Sequence, residues 1–597
     1  MKNKEIINRI SAYIICFLTF FRFFFDGITY STLNLIFYIS FLTLFIFLVF
    51  SKFNELKITY AEIFLFLFFV FSIISSSASE IKGTGTRYNA YIGSCLILFF
   101  LARNLIKNKV KETLIIIIFL SVFIITLYGI YQRFWGLEAT RRYLLENKDF
   151  LKQHPEFLKY FSPTFFERAE SSRIFSTFIY PNIYATFLIT IMPLLFFYFL
   201  VNYKSFYGIF SIFLFFLSFL NLVLTESIGG LLIFLFISHI ILLQIVLEKK
   251  IFKKILPFLL VFEILIIFLG YEFKILPHIH SLMDRMIYWK TSFKIIHLKP
   301  FLGIGPENFR YYFLKFKPPE GLEAVHAHNF LLETLVENGI LGLVLLSLFI
   351  WNLFIRISAD KKEKILNTGI IYLLLSFILH NMVDFGFYDP SLGFLFFLFA
   401  GLGIDENKNK IKSKRLTKFL LCLIIISTVF SIFKLIKFEN SERIRKISKE
   451  KFTFDEKLFL LEYAEKMYDK NFEVYFEKGN LYINIWKLTK KEEYLDNAIL
   501  SYKKSIYLNP FFIKGYRHLA YIYELIGDYK QAEKMYLKVL ECYPNKKLYN
   551  LEISSFYKKI GNEEKYKTYY NKSKELKDIT IEEKILSDEV EKWIKLH

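Results

Sequence analysis

The sequence predicts an all-α protein: a polytopic transmembrane helical bundle of about 12–13 spans, followed by an α-solenoid of helical repeats. Hydrophobic residues make up 54% of the 597 residues, although the chain also contains 76 Lys and Arg residues. Apolar runs of about 18 or more residues recur through about the first three quarters of the chain. Beyond them, identical residues recur at a spacing of 34 positions. A soluble protein could not bury this much apolar surface.

The apolar runs predict the individual spans, because each run is long enough, as a helix, to cross about 30 Å of hydrocarbon. Their centres lie near Phe17, Phe41, Phe68, Leu98, Ile118, Ile189, Phe215, Phe234, Phe262, Leu345, Leu374, Phe397 and Ile425. The first run is not followed by a small-residue cleavage site, so we interpret it as a span.

Short segments rich in Lys and Arg alternate with these runs and set the predicted orientation. They are the amino terminus and residues 103–111, 248–254, 361–364 and 408–418. The positive-inside rule places all of them on the cytoplasmic side. The predicted membrane domain, residues 1–437, then has two long external loops, at about residues 132–173 and 271–329.

The formal net charge of +21 does not indicate a nucleic acid partner, because the basic residues lie in short loops between apolar runs. Anionic membrane lipids are the predicted partner of these loops. Four cysteines, Cys16, Cys95, Cys422 and Cys542, are far apart in sequence and have no paired spacing. They predict neither a disulfide framework nor a zinc site.

The segment after the last span has the period of tetratricopeptide repeats. Residues 34 positions apart are identical in the pairs Ala498 and Ala532, Tyr502 and Tyr536, Pro510 and Pro544, Tyr523 and Tyr557, and Gly527 and Gly561. Residues 513–546 carry the pattern almost whole, which predicts a repeat domain over residues 452–597 with a cap at residues 581–596. Such concave surfaces usually bind something, so a protein partner is expected; the alternative is a scaffold alone.

The side of the membrane on which the repeats lie is open at this stage. An odd number of spans places the repeats outside the cell. Basic residues that follow the last span favour the cytoplasmic side under the positive-inside rule: Arg443, Arg445, Lys446, Lys449 and Lys451.

Residues 283–342 contain the densest set of unusual features. Gly303, Gly305 and Pro306 interrupt the apolar pattern and predict a tight external turn where backbone can approach a ligand. His328 and Asn329 then open a helix.

These features form a recognisable order. Arg285 is followed by Trp289, by the string PFLGIGP from residue 300, by His328 with Asn329, and by glycines at 339 and 342. This pattern resembles that of the O-antigen ligase and polymerase family. Two further segments are similar to family elements: RIFSTFIYPNIYATF at residues 173–187 and ILHNMVDFGFYDP at residues 378–390. Family members with tetratricopeptide tails are common.

The resemblance implies a metal-independent enzyme without a cofactor. Such an enzyme moves a glycan from an undecaprenyl-diphosphate carrier onto an acceptor, which is the lipid A core or another surface glycan, on the outer face of the cytoplasmic (inner) membrane. His328 is implied as the general base or the positioner of the acceptor hydroxyl, and Arg285 as a ligand of the diphosphate.

The chain departs from the family pattern at one position. In the string LTESIGGLL, Ile228 stands where the family has an Arg. The missing phosphate contact therefore has to come from elsewhere, and the candidates are Arg173, Arg168, Arg310 and Lys317. We predict diphosphate binding by Arg285, Arg173 and Arg310, and substrate lining by Asn329, Gly305, His380 and Asp384.

The chemistry can also be argued without the resemblance. A diphosphate leaving group already activates the donor, so catalysis needs charge neutralisation at phosphate and a base for the incoming hydroxyl. Arginine provides a bidentate fork for phosphate oxygens, and histidine has a pKa near neutrality. One external loop contains both residue types.

Each of these residues also has a structural interpretation. His328 could be a histidine at a helix start that is satisfied by water or backbone, and Arg285 could be an interfacial anchor. His326, His328, His278 and His280 could bind a metal, but this spacing is a weak signal and no cysteine supports it. We therefore interpret His326 as a bystander. His380 and Asp384 are one helical turn apart, close enough to share a hydrogen bond.

Alternative functions remain at this stage. The same fold could serve an O-antigen polymerase or a protein O-oligosaccharyltransferase, in which the acceptor is another glycan or a protein. From a different class, the chain could be a transporter of lipid-linked glycan whose repeats recruit partners. A transporter should show two-fold repetition of its spans and broken, charged helices near the midplane. The sequence shows no such symmetry and concentrates its polar residues in the external loops.

Overall fold

The computed structural model describes residues 2–25, 27, 31–147, 171–246, 280–357, 364–404, 410–450, 452–578 and 581–596. Within these residues the chain is helical, and the extended pairing in them is confined to two isolated bridges. The all-α prediction is therefore confirmed. The helices of the membrane part are α1 (Lys2–Arg22), α2 (Ser31–Lys52), α3 (Tyr60–Ala78), α4 (Thr86–Leu105), α5 (Lys109–Tyr131), α6 (Leu137–Glu146), α7 (Pro181–Asn202), α8 (Phe206–Leu224), α9 (Ile228–Val246), α10 (His280–Ile296), α11 (Phe309–Phe316), α12 (Phe330–Arg356), α13 (Lys364–His380), α14 (Pro390–Gly403) and α15 (Lys414–Ile447).

Twelve of the thirteen predicted span centres lie on these helices, and the thirteenth, Phe262, is outside the described residues. In the described part of the chain, seven helices are long and apolar enough to cross a membrane: α2, α3, α5 with α6, α7, α8, α12 and α15. Three more, α9, α13 and α14, are apolar but shorter. The chain is therefore a multi-pass membrane protein.

The first predicted external loop begins with helix. A π-helical turn, Gln132–Gly136, joins α5 to α6, so the chain is helical to Glu146. The polar residues after Tyr131 are compatible with a helix that leaves the membrane, which no longer needs an apolar surface.

The basic segments that the structure describes, at residues 2–9, 103–111 and 410–418, lie at one end of the bundle, and residues 248–254 and 361–363 are outside the described residues. At this end Arg103 closes α4 and donates to Glu62 of α3 at 3.0 Å, while Thr59 caps α3. The bridges Thr59 with Lys410 and Ile357 with Ile404 join the loops of the same end. The described part of the second external loop lies at the opposite end, as the charge pattern predicts.

The repeat domain consists of antiparallel helix pairs. Its helices are α16 (Phe454–Met467), α17 (Phe472–Thr489), α18 (Glu492–Leu508), α19 (Ile513–Leu525), α20 (Tyr529–Cys542), α21 (Lys547–Lys559), α22 (Glu563–Lys574) and α23 (Ile581–Leu596). Ala498, Ala520 and Ala532 are fully buried where helices touch, which explains the small residues of the repeat pattern. The predicted cap is α23, which packs against α21.

One helix connects the two parts. α15 is 34 residues long and passes the predicted end of the membrane domain at residue 437. Arg445, near its carboxyl end, forms ion pairs with Glu473 at 2.9 Å and Glu477 at 3.4 Å, and Lys449 pairs with Glu477 at 2.6 Å. Two of the five basic residues after the last span are thus paired within the protein, which weakens this segment as a signal for the cytoplasmic side.

The repeats pack directly onto the membrane part. The turn between α3 and α4 donates from Lys82 N to Leu508 O at 2.8 Å, and Thr86 Oγ1 lies 3.3 Å from the hydroxyl of Tyr468. Asn545 Nδ2 donates to Lys317 O at 2.8 Å. The repeats therefore lie at the same end of the bundle as the His326–His328 segment.

Candidate active site

Helix α10 presents its side chains in two directions. Arg285 points towards residues 383 and 384, whereas Trp289, one turn later, donates from Nε1 to Ala327 O at 3.1 Å. The ring of Tyr288 lies 5.5 Å from that of His328. The Arg and Trp of the sequence pattern are thus explained: one faces a cavity and the other holds the histidine segment.

The turn at residues 303–306, which we call the glycine turn, packs against the backbone of α12. Gly303 and Gly339 have φ angles of 72° and 65°, and a Cβ on either would lie 2.2 Å from a carbonyl oxygen of the opposite segment. Ile304 N donates to Val336 O at 3.0 Å and Gly305 N to Glu337 O at 2.9 Å, which satisfies carbonyls released where α12 breaks at Gly339. The structure brings the turn against α12, and Gly305 packs on Ser79.

The segment that carries the histidines is fixed by the start of α12. Asn329 caps this helix, its Oδ1 accepting from Leu332 N at 3.0 Å. Glu333 accepts from Ala327 N at 2.8 Å and lies 2.7 Å from His326 Nδ1. His328 itself adopts a φ of 52°, a left-handed conformation that is uncommon for a residue other than glycine. Such strain is retained where neighbouring contacts determine the backbone.

Asp384 connects Arg285 to His328. Its Oδ2 lies 3.4 Å from Arg285 Nη2, and its Oδ1 lies 3.8 Å from His328 Nδ1. Oδ1 also accepts from Phe385 N at 2.8 Å. Arg285 is held further by Val383 O, which accepts from Nε, and by Ser281 Oγ at 2.6 Å from Nη1. The carboxylate is therefore fixed between a cation and an imidazole.

The electrostatics of His328 favour the neutral ring. Its Nδ1 makes no hydrogen bond within the described residues, and the ring packs against Phe385 with centroids 4.9 Å apart. Burial lowers the pKa of His328 from its ordinary value to about 4; Arg285 and His326 also lower it, whereas Asp384 raises it. At neutral pH the ring can therefore accept a proton.

A cavity of about 280 Å³, which we call the Arg285 cavity, lies beside this carboxylate. Its lining includes Arg173, Asn182, Ser227, Ile228, Gly229, Arg285, His380 and Asp384. Arg173 donates from Nε to Thr225 O at 2.8 Å and from Nη2 to Asn182 Oδ1 at 2.7 Å, which uses two of its five N–H donors. Burial lowers the pKa of Arg173, and Arg285 acts in the same direction, so an anion between them would be stabilised.

The position that lacks the family Arg also lines the Arg285 cavity. Ile228 is the first residue of α9, so the amino-terminal end of this helix dipole lies at the cavity wall. Nearby, His380 pairs through Nδ1 with Thr186 Oγ1 at 2.7 Å, and its buried Nε2 makes no hydrogen bond within the described residues. The shared hydrogen bond expected between His380 and Asp384 is not formed, because α13 ends at His380 and the chain turns before Asp384.

Helix α9 lines a second cavity further along its length. Residues 228–233 of α9 contribute to the Arg285 cavity, and residues 234–242 contribute to a cavity of about 260 Å³ that we call the apolar cavity. The other walls of the apolar cavity come from α7, α8 and α13 and include Met192, Pro193, Phe196 and Phe215.

The third cavity, the His326 cavity, lies between the membrane part and the repeats and has a volume of about 250 Å³. His326 lines it, with its ring stacked on those of Phe385 and Tyr388 at 5.1 and 4.9 Å. Arg310 also lines this cavity and is thereby separated from Arg285 and Arg173. His326, interpreted from sequence as a bystander, thus stands at a cavity wall with a carboxylate partner.

The structure therefore brings some of the predicted site residues together and separates others. Arg285, Arg173, His380 and Asp384 line one cavity, and His328 lies behind Asp384. Lys317 is occupied elsewhere, since its ammonium donates to Gly321 O and lies 5.6 Å from the ring of Tyr543. Arg168 is outside the described residues.

Comparison with known proteins finds two similarities. Residues 213–347 match the family model described as O-antigen ligase, and residues 513–546 match that of the tetratricopeptide repeat. The membrane part of the chain is thus similar to O-antigen ligases, and its carboxyl-terminal part contains a tetratricopeptide repeat. No curated protein and no solved structure gives a significant match.

The segment that matches the O-antigen ligase family contains Arg285, Gly305, Arg310, His328 and Asn329. Arg173, His380 and Asp384 lie outside it and reach the site through helix packing. Thr186 and Ser281 were not among the predicted residues, although Thr186 lies in the segment 173–187 that is similar to a family element. Sequence reasoning also missed the role of Asn182, which stands in the same segment but whose partner could not be seen.

Metal ligation can be considered for the described residues only. They contain no group of three or more His, Cys, Asp and Glu side chains that could hold a metal ion. His278 and the side chain of His280, which the metal hypothesis included, are outside the described residues.

Proposed function

We propose that the protein transfers a glycan from undecaprenyl diphosphate, or a similar polyprenyl carrier, onto an acceptor hydroxyl of the lipid A core or another surface glycan. The observation that supports this donor most directly is the arrangement along α9. This helix contributes first to a cavity with two arginines and then to an apolar cavity. A polyprenyl diphosphate has the same order of properties, an anionic head followed by a hydrocarbon tail.

The head group would bind in the Arg285 cavity. Arg285 and Arg173 provide guanidinium donors for phosphate oxygens, and the amino-terminal end of α9 adds a partial positive charge. His380 Nε2, buried without a hydrogen-bond partner, would supply a further contact if protonated at that nitrogen. These groups would replace the family arginine that is absent at position 228, where this chain has Ile228.

The acceptor hydroxyl would lose its proton to His328. With the Nδ1 proton directed to Asp384, Nε2 carries the lone pair that accepts the proton, and the carboxylate stabilises the imidazolium. The acceptor oxygen bonds to the anomeric carbon as the bond from that carbon to the diphosphate oxygen breaks. The diphosphate leaves with its electron pair and is stabilised by Arg285 and Arg173. Because its negative charge offsets Arg285, donor binding would also raise the pKa of His328 and strengthen the base.

The reaction would take place on the outer face of the cytoplasmic membrane. The Lys/Arg-rich segments among the described residues lie at one end of the bundle, and the His326–His328 segment and the repeats lie at the other. The positive-inside rule places the first end in the cytoplasm.

The repeats would in addition bind a protein partner. Arg517, His518, Tyr521 and Tyr536 line a cavity of about 320 Å³ within them. Such repeat surfaces commonly bind extended segments.

The test is the product formed when the purified full-length protein, in lipid nanodiscs, is given undecaprenyl-diphosphate-linked oligosaccharide with and without candidate acceptors. Chain growth identifies a polymerase, attachment to lipid A core a ligase, and attachment to a protein an oligosaccharyltransferase. His328→Ala should abolish transfer, whereas His297→Ala, which removes an exposed histidine of the same region, should not. Full activity of His328→Ala would contradict the proposed role of His328 as the base. Movement of the donor across vesicles without any new bond would favour the transporter alternative.

A further inference from the structure

The His326 cavity is not used by the proposed donor. It lies between two walls, one from the membrane part with Arg310, Tyr311, His326 and Tyr388, and one from the repeats with residues 470–473. Because both domains contribute side chains to this cavity, both determine which ligand it can bind.

The repeat wall is fixed in place by close contacts. Gly83 has a φ of 83°, and a Cβ there would lie 2.7 Å from Lys470 O, so the backbone of the α3–α4 turn directly meets that of the repeats. The rings of Tyr311 and Phe472 pack edge to face at 6.4 Å. Tyr468, two residues before Lys470, donates to Gly83 O at 3.4 Å. These contacts hold the wall at a defined distance from His326.

The lining of the cavity fits a sugar better than an anion. It contains four Lys or Arg side chains and five Glu side chains, so it has no excess of positive charge for a diphosphate or an anionic lipid head. Charged side chains of both signs can donate to and accept from hydroxyl groups. Tyr88, Tyr311, Tyr388, Phe438 and Phe472 supply flat apolar surfaces. A hydroxyl-rich ring with apolar faces matches both features.

A short segment, Asp384 and Phe385, lies between the His326 cavity and the Arg285 cavity. The ring of Phe385 stacks on His326 at 5.1 Å and packs edge-on against His328 at 4.9 Å. The preceding residue, Asp384, lines the Arg285 cavity. Because Glu333 holds Nδ1 of His326, the other ring nitrogen is left for a ligand.

We propose that the His326 cavity binds the acceptor sugar and that the tetratricopeptide repeats form one wall of this site. This inference rests on the proposed function, because it assigns a binding site to the second substrate of the same transfer. The repeats would then contribute to acceptor choice directly, through Lys470 and Glu473, in addition to any protein that they bind.

The experiment measures sugar and carrier binding separately on the full-length protein in nanodiscs. Maltotriose and N-acetylchitotriose are the sugar probes, observed by saturation-transfer NMR, and undecaprenyl diphosphate is titrated in parallel. The double variant Lys470→Ala/Glu473→Ala should weaken sugar binding about tenfold, because contacts with charged groups are lost, and leave carrier affinity within about twofold. Glu462→Ala/Lys466→Ala, the same change of charge on exposed positions of α16, should bind both ligands as the wild type does.

A second variant guards against misfolding, since Glu473 also pairs with Arg445. Arg310→Ala, on the opposite wall and outside that ion-pair network, should weaken sugar binding in the same way. The inference is overturned if neither trisaccharide binds the wild type, or if the double variant and Arg310→Ala both bind the sugars as the wild type does. A wild type that binds a sugar but not undecaprenyl diphosphate would instead contradict the proposed function.

Discussion

Asp384 Oδ2 lies 3.4 Å from Arg285 Nη2, while its second oxygen lies 3.8 Å from the imidazole of His328. One carboxylate thus contacts both the residue proposed to hold the leaving group and the residue proposed to take the proton. Asp384 raises the pKa of His328 and fixes the position of Arg285 relative to that ring. This relationship leads to the first two predictions.

Replacing Asp384 with Asn should reduce the rate of transfer about 100-fold, because the imidazolium loses its counter-charge and Arg285 loses one of its holding contacts. The measurement is kcat with saturating donor, in nanodiscs. Asp469→Asn, on the exposed surface of the repeats, is the matched control and should leave kcat unchanged. An Asp384→Asn enzyme with wild-type kcat would show that the carboxylate is only structural.

The pH dependence of kcat/KM should reveal His328. Its pKa is lowered to about 4, and the reaction needs the neutral ring, so kcat/KM should stay constant through neutral pH and fall only as the pH approaches 4. Arg285→Gln removes a charge that lowers this pKa, so the acid limb of its residual activity should move to higher pH. Asp384→Asn removes a charge that raises the pKa and should move the limb to lower pH. Identical limbs in all three enzymes would assign the titration to another group.

Arg285→Ala should raise the donor KM more than Arg285→Lys does, since Lys keeps the charge but loses the fork that matches phosphate. We expect at least a tenfold increase for Ala, about the contribution of a charge-assisted hydrogen bond. Arg142→Ala, an exposed arginine on α6, serves as control. Equal donor KM values for wild type, Lys and Ala would exclude a phosphate contact.

Gly339→Ala should destabilise the protein strongly. The residue has a φ of 65°, and a Cβ would lie 2.2 Å from Phe301 O, so both the backbone and the contact with the glycine turn oppose a side chain. We expect a cost of about 2 kcal/mol or more, seen as a lower midpoint of thermal unfolding in detergent. Gly136→Ala provides the contrast, because Gly136 is helical and a Cβ there meets its nearest neighbour at 3.4 Å. Similar midpoints for the two variants would contradict the close approach.

The proposed orientation can be tested by cysteine labelling of cells with a membrane-impermeant reagent. Lys530→Cys, on an exposed position of the repeats, should react from outside the cytoplasmic membrane, and Lys410→Cys should react only after permeabilisation. The reverse pattern would place the repeats and the histidine segment in the cytoplasm.

The sequence predicts some of this site because certain residues determine the backbone locally. Gly303 and Gly339 occupy conformations that glycine favours, and Asn329 caps the helix that follows it. The order of these residues could therefore be read from the chain, together with Arg285 and His328. Apolar length likewise predicts the helices that cross the membrane.

The cavities could not be predicted, since helix packing brings their walls together over long distances in the chain. Thr186 and His380 form a hydrogen bond although 194 residues separate them. The contact between His326 and Glu333 could not be predicted either, because it forms only when the chain turns at the start of α12. The basic residues around Arg445 were ambiguous for the same reason: their acidic partners stand on the next helices.

The length of α15 sets how far the repeats lie from the lipid. Its 34 residues extend about 50 Å, whereas the hydrocarbon layer is about 30 Å thick, so about 20 Å of the helix rises above the lipid and carries the first repeat with it. A lipid-borne carrier diffuses sideways within the plane of the bilayer. A ligand of the repeats approaches from the aqueous space above that plane. In the proposed transfer, the carrier would therefore reach the site by diffusion in two dimensions and the acceptor by diffusion in three, and both would meet near residues 326–328.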